Sequence, residues 1–168
     1  MKYWILVVTS FLIVGCSKPT AEQLFEKGQQ AQVARSYDEA LTTFQELISL
    51  YPDSAKTQDA YYAIGYIYQN YKNEPHSAVH YYRLLVEKYP DHPTASNAAF
   101  LIGFIYANDF QQYDSARIAY EYFLQHYPNS SAGLLTSARY ELENLGKDPS
   151  MLLSETKNQQ KKNTQKKK

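Results

Sequence analysis

The sequence predicts an all-α chain, a right-handed αα-superhelix of stacked helix pairs with three such units and a capping helix. Three observations carry this. A Tyr-Pro turn recurs as Tyr51-Pro52-Asp53-Ser54, Tyr89-Pro90-Asp91-His92 and Tyr127-Pro128-Asn129-Ser130, its prolines 38 residues apart. Gly65 and Gly103 keep the same 38-residue step, as do Ala78 and Ala116. Residues 98–106 restate residues 60–68 almost type for type. A fixed period of this size is the mark of stacked supersecondary units, each too small to bury its apolar face alone. At 168 residues the chain is one domain's worth, long enough for a sizeable core. Seventeen tyrosines and seven phenylalanines supply large rings for the layers between helices and for a surface.

The first 15 residues read as a targeting segment outside the fold. Lys2 is the positive end, and Trp4 to Val14 is apolar apart from Thr9 and Ser10. That run is too short to span a membrane, which takes about 20 apolar residues. It ends Leu12-Ile13-Val14-Gly15-Cys16 and uses the only cysteine of the chain, which excludes an intramolecular disulfide. This ending resembles the lipobox of bacterial lipoproteins. The resemblance implies cleavage before Cys16 and acylation of that residue, and Ser17 after it implies the outer membrane. Residues 16–20 are then the lipidated cysteine and a short tether, at most about 14 Å of extended chain from membrane to fold.

The solenoid is expected over residues 21–146. Thr20 is suited to cap a helix starting at Ala21. Unit 1 carries Gly28, Ala40, Phe44, Leu47 and Pro52. Unit 2 carries Tyr61, Ile64, Gly65, Tyr68, Ala78, Tyr82, Leu85 and Pro90, and unit 3 carries Ala99, Ile102, Gly103, Tyr106, Ala116, Tyr120, Phe123 and Pro128. This resembles the tetratricopeptide repeat pattern, W-x₂-L-G-x₂-Y…A-x₃-F…P, which implies two helices per unit. The units exceed that family's usual length of about 34 residues. Units 2 and 3 carry one more residue between glycine and alanine than unit 1, with more added in the turns.

Gly65 and Gly103 sit mid-helix, where glycine costs about 1 kcal/mol against alanine. That cost suits a close approach of a neighbouring helix, with Ala40, Ala78 and Ala116 as the small residues facing the glycines. Proline disfavours helical backbone in the residue before it, so Tyr51, Tyr89 and Tyr127 should end their helices. Asp38 and Asp114 are expected to cap the second helices of units 1 and 3, while unit 2 has Pro75 in the first turn.

Residues 132–145 read as a capping helix with Leu134, Leu135, Ala138, Leu142 and Leu145 on one face. Glu141 takes the place of the repeat glycine. Arg139, Glu141 and Glu143 are expected to give the polar outer face, and Gly146 closes the helix. A truncated fourth unit is the alternative. Residues 147–168 form a basic tail expected to be disordered, with six Lys and one Glu from Ser154 onward. From Cys16 to Leu153 there are ten Lys or Arg against sixteen Asp or Glu. This balance argues against nucleic-acid binding by the body. The tail either keeps the chain soluble or contacts anionic lipid headgroups or cell-wall polymer.

No catalytic constellation is present: no cysteine beyond Cys16, no glycine-rich phosphate loop and no hydrolase serine motif. An enzyme is not expected, nor any cofactor. His76 and His80 are four apart, but lack a third ligand at a recognisable spacing, so a solvated helix face is expected rather than a metal site. His92 and His126, beside the Tyr-Pro turns, are expected to be exposed.

The repeat resemblance implies a partner-binding face on the first helix of each unit. It carries over to Phe25 and Gln29 in unit 1, to Tyr62, Tyr66 and Asn70 in unit 2, and to Phe100, Phe104 and Asn108 in unit 3. Tyr62 and Tyr66 share a helix face, as do Phe100 and Phe104. Aromatic rings beside Asn amides suit an extended peptide or a partner helix, the amides holding backbone groups. The plainer alternative is that the rings only pack against neighbouring helices.

A lipobox followed at once by such units resembles the BamD family of β-barrel assembly lipoproteins. The Tyr-Pro turns also occur in the periplasmic YbgF/CpoB family of the Tol-Pal system, but there is no room here for that family's coiled coil between Cys16 and Ala21. BamD proteins have about five units, against three and a cap here. The resemblance implies a lipid-anchored adaptor for protein or peptide partners at the periplasmic face of the outer membrane, in barrel assembly. The alternatives are a division-associated Tol-Pal protein and a cell-wall tether.

Overall fold

A computed structural model describes residues 18–147. The expected leader at 1–15, the expected acylation site Cys16 and the tail from residue 148 onward lie outside the described residues. Seven α-helices follow one another among the described residues: α1 Ala21–Val33, α2 Tyr37–Leu50, α3 Ala55–Ile67, α4 Pro75–Lys88, α5 Ala95–Asn108, α6 Tyr113–His126 and α7 Ala132–Asn144. No strand occurs among the described residues. Helices α1 and α2, α3 and α4, and α5 and α6 form three antiparallel pairs, and each pair stacks on the next. First helices of adjacent units also touch, α1 with α3 and α5 with α7.

The start is as the sequence predicts. The Thr20 hydroxyl accepts from the Gln23 amide at 3.2 Å, and the Gln23 side chain accepts from the Thr20 amide at 2.9 Å, a reciprocal capping box. The caps of the second helices differ from expectation. Ser36 and Gln112 hold the cap positions of α2 and α6, and Asp38 and Asp114 stand inside the first turn. There the carboxylates still favour the helix through its positive end without bonding a cap amide.

The reason lies in the turn between paired helices. Each turn hangs on one residue in the left-handed region: Arg35 (φ 61°), Asn73 (φ 53°) and Gln111 (φ 54°). The extra residue of units 2 and 3 is absorbed just before it. In unit 1 the Ser36 amide donates back to the Ala31 carbonyl, five residues away. In units 2 and 3 the closing bonds span six residues, from Glu74 to Tyr68 and from Gln112 to Tyr106. In unit 2 the widening makes a π-turn over Tyr68–Lys72.

The mid-helix glycines are notches for rings, not for the alanines. A Cβ on Gly65 would lie 2.6 Å from the Tyr82 ring, and one on Gly103 would lie 2.7 Å from the Tyr120 ring. Phe44 fills the same notch against Gly28. Ala40, Ala78 and Ala116 are buried one turn earlier on the same helices as these rings. The two tyrosines differ at their tips. The Tyr82 hydroxyl donates to the Gln69 side chain at 3.0 Å, whereas the Tyr120 hydroxyl is buried without a partner among the described residues. Residue 107, which stands where Gln69 does one unit earlier, is alanine. Tyr82→Phe is therefore expected to lower stability by about 1 kcal/mol, and Tyr120→Phe to leave it equal or higher, because only the first removes a hydrogen bond. Urea unfolding of the two variants checks this opposition.

Tyr51, Tyr89 and Tyr127 end their helices as expected, each as the cap residue before its proline. They do more than stop a helix. The Tyr51 hydroxyl donates to the Pro19 carbonyl at 2.6 Å, just before α1, and the Tyr89 hydroxyl to the Pro52 carbonyl of the preceding turn at 3.1 Å; the Tyr127 hydroxyl is buried without a partner among the described residues. The carbonyls of the three tyrosines each accept the amide three residues on, from Ser54, His92 and Ser130. His92 is not exposed. Its side chain is only 10% accessible, set against Asp59 at 3.3 Å and the Thr94 hydroxyl at 2.9 Å. His126 is exposed and stacks on Tyr122.

Helix α7 covers the open side of unit 3. Ala138 is fully buried, and Leu134, Leu135, Leu142 and Leu145 pack on the same core as Tyr120 and Phe123. Gly146 takes φ +75°, the left-handed closing residue. Glu141 is half-buried rather than on the outer face, and burial raises its carboxyl above the usual range. At the register of the notch glycines, it denies a further unit the place where a ring would sit. Arg139 and Glu143 remain on the exposed side.

Candidate polypeptide-binding surface

The first helices place the predicted residues in three layers. Phe25, Tyr62 and Phe100 stand three residues before the notch glycines Gly28, Gly65 and Gly103. Each leans on the ring that fills its notch. Phe25 lies 5.6 Å from Phe44, Tyr62 5.6 Å from Tyr82, and Phe100 5.5 Å from Tyr120. All three are half-buried, packed behind and open in front. The Tyr62 hydroxyl accepts from the Asn97 amide of the next unit, and Lys56 lies over the Phe25 ring at 5.0 Å.

One turn further are Gln29, Tyr66 and Phe104. Gln29 is exposed, Tyr66 half-buried and Phe104 36% exposed. Tyr66 meets Tyr71 edge-on at 5.8 Å, and Tyr71 stacks on Tyr37 at 4.2 Å. Gln29, Tyr37 and Tyr71 line one depression of about 380 Å³. Tyr37 and Tyr71 belong to this surface although the repeat pattern passes over them, since both sit beside the turn between helices. The third layer departs from expectation. The Asn70 and Asn108 amides donate to the carbonyls of Tyr66 and Phe104, at 3.0 and 2.9 Å. One N–H of each is thus committed to its own helix rather than to a ligand.

Tyr62 and Tyr66 are held as neutral phenols. The Tyr71 hydroxyl pushes the pKa of Tyr66 above the usual tyrosine range, and burial pushes that of Tyr62 up against a smaller lowering by Asn97. An uncharged, amphipathic wall of this kind gives contact area at little conformational cost. His76 and His80 are elsewhere: His76 stacks on Phe110 at 4.3 Å, and His80 stands edge-on to Tyr81.

A second concavity was not foreseen. It lies between α4, α5 and α6, about 330 Å³ in volume, with Ile102 and Tyr106 on its wall. At 100° per residue these two lie roughly opposite Phe100 and Phe104 on α5.

A family model described as an outer membrane lipoprotein, YfiO, matches residues 17–132. The chain belongs to this family. Its members include the BamD-type lipoproteins that the repeats resemble. The YfiO match takes in α1 to α6 and stops at the first residue of α7, so the capping helix lies beyond it. No curated protein matches the chain. No helix among the described residues is long and apolar enough to cross a membrane.

Proposed function

We propose that this protein is a lipid-anchored adaptor, acylated at Cys16, that holds polypeptide on the aromatic face of its first helices. It works at the periplasmic side of the outer membrane, in the assembly of β-barrel proteins, by binding and not by catalysis. One observation carries the reading. Three successive units present a half-buried ring at the same register, and Tyr66 and Phe104 continue the stripe outward. Such rings, supported from behind and open in front, are the usual anchors of polypeptide interfaces. Membership of an outer membrane lipoprotein family supports the location. The bond from Tyr51 to Pro19 supports close apposition to the membrane, since it fixes the tether two residues after Ser17.

The test pairs identification with a surface variant. The lipidated protein is recovered from its own envelope and what co-purifies is identified by mass spectrometry. A large outer-membrane β-barrel with periplasmic domains is the expected result, whereas Tol-Pal components or cell-wall fragments alone would end the assembly reading. Tyr66→Ala combined with Phe104→Ala is expected to weaken capture of that partner at least about tenfold, as two ring anchors are lost. The melting temperature should move by only a few degrees, because neither ring is core. Undiminished capture by a folded double variant sinks the face.

A further inference from the structure

The concavity between α4, α5 and α6 has a counterpart one unit earlier, between α2, α3 and α4, and that counterpart is filled. Tyr81 occupies it. Its ring stacks on Tyr68 at 5.8 Å and leans on Tyr61 at 6.4 Å, and its hydroxyl accepts from the Gln45 amide at 3.1 Å. Thirty-eight residues on, Tyr81 becomes Ala119 and Tyr61 becomes Ala99, while Tyr68 is kept as Tyr106. Two rings are replaced by methyl groups, while Ile64 and Tyr68 recur as Ile102 and Tyr106; at the edges Ile48, Ser49, His80 and Leu84 become Val86, Glu87, Ile118 and Tyr122. The space they leave is the cavity of about 330 Å³. Gln45, the donor to the Tyr81 hydroxyl, becomes Arg83, whose guanidinium already donates to the Tyr106 hydroxyl at 3.2 Å. The rim keeps apolar surface in water, with Ile118 68% exposed.

The geometry points to a second recognition site here: a slot for one tyrosine side chain of a partner polypeptide, on the opposite side of α5 from the first-helix stripe. The ring takes the place of Tyr81, face to face with Tyr106. The phenolic oxygen accepts from Arg83, as that of Tyr81 accepts from Gln45. The occupant follows from the filled unit: the shape is that of a phenol, and Arg83 offers donors to its oxygen, with the Glu87 carboxylate also on the wall. A guanidinium keeps several N–H groups for this after bonding Tyr106.

A blocked pentapeptide with one central tyrosine is the probe, with phenylalanine and alanine counterparts, titrated into the soluble 18–168 chain and followed by amide chemical shifts. The expected result is millimolar binding of the tyrosine peptide with shifts on α4, α5 and α6. The phenylalanine peptide should bind about threefold more weakly for want of the hydroxyl bond, and the alanine peptide not at all. Ala119→Tyr restores the internal ring, so it should abolish binding and raise the melting temperature. Arg83→Met, which leaves the fold's interior untouched, should bring the tyrosine peptide down to the phenylalanine level. The inference is overturned if Ala119→Tyr binds as the parent does, if the shifts fall on Tyr66 and Phe104 instead, or if Arg83→Met changes nothing. It is equally overturned if sedimentation finds a dimer that Ala119→Tyr dissociates, for then a second copy fills the slot. The Ala119→Tyr and Arg83→Met outcomes do not depend on the first-helix stripe.

Discussion

Gly65→Ala is expected to destabilise the fold by about 2 kcal/mol, although alanine is the better helix former by about 1 kcal/mol. The added methyl would lie 2.6 and 2.7 Å from two atoms of the Tyr82 ring. That ring cannot step aside. It is fully buried, its hydroxyl is held by Gln69, and Tyr62 leans on it. Chemical denaturation measures the loss, and two controls give it a cause. Gly133→Ala, in α7 with nothing within 4 Å of the new methyl, is expected to be neutral or slightly stabilising. In a Tyr82→Leu background, Gly65→Ala should cost at least about 1 kcal/mol less than in the parent, because the obstructing ring is gone. A loss of the same size in both backgrounds would put the cost in the backbone and remove the notch as its explanation.

Ending the chain at Ser131 is expected to lower the melting temperature by about 10 °C and to cause concentration-dependent self-association. A deletion of residues 148–168 alone should do neither. The cap removed is α7, which buries Ala138 and packs four leucines on the Tyr120 and Phe123 layer. Uncovering such a face exposes apolar surface at about 25 cal/mol for each Å², and a stacked array without its terminal cap loses solubility as well as stability. A few kcal/mol of that loss corresponds to the stated shift for a domain of this size. Scanning calorimetry and sedimentation decide the matter. An uncapped protein that stays monomeric with an unchanged melting point would show α7 to be an unfinished fourth unit rather than a cap. Glu141 already argues for the cap, since its half-buried carboxylate stands where a further unit would need glycine.

The helical class, the number of helix pairs and most of their boundaries were legible because they depend on residues close in sequence. Thr20 with Gln23, the prolines after Tyr51, Tyr89 and Tyr127, and Pro75 at the start of α4 act within a few residues of themselves. The 38-residue step carried this local information from one unit to the next. The inter-helix turns were less legible, because arginine and glutamine at Arg35 and Gln111 are not the residues that advertise left-handed backbone. The family match then agreed with the repeat pattern, since both read the same residues.

Tertiary structure alone decided what meets across units, because each such contact joins side chains that no local spacing relates. The glycines received rings instead of alanines, since the facing helix is set one turn along from its small residue. His92 was drawn down by Asp59, 33 positions earlier in the chain. Tyr51 found the Pro19 carbonyl ahead of α1 and Tyr89 the Pro52 carbonyl of the preceding turn. Tyr81 and Ala119 look like ordinary variation at one repeat position. Only the stacked walls show that one closes a groove and the other leaves it open, because the volume between helices is set by pairs of residues from neighbouring units.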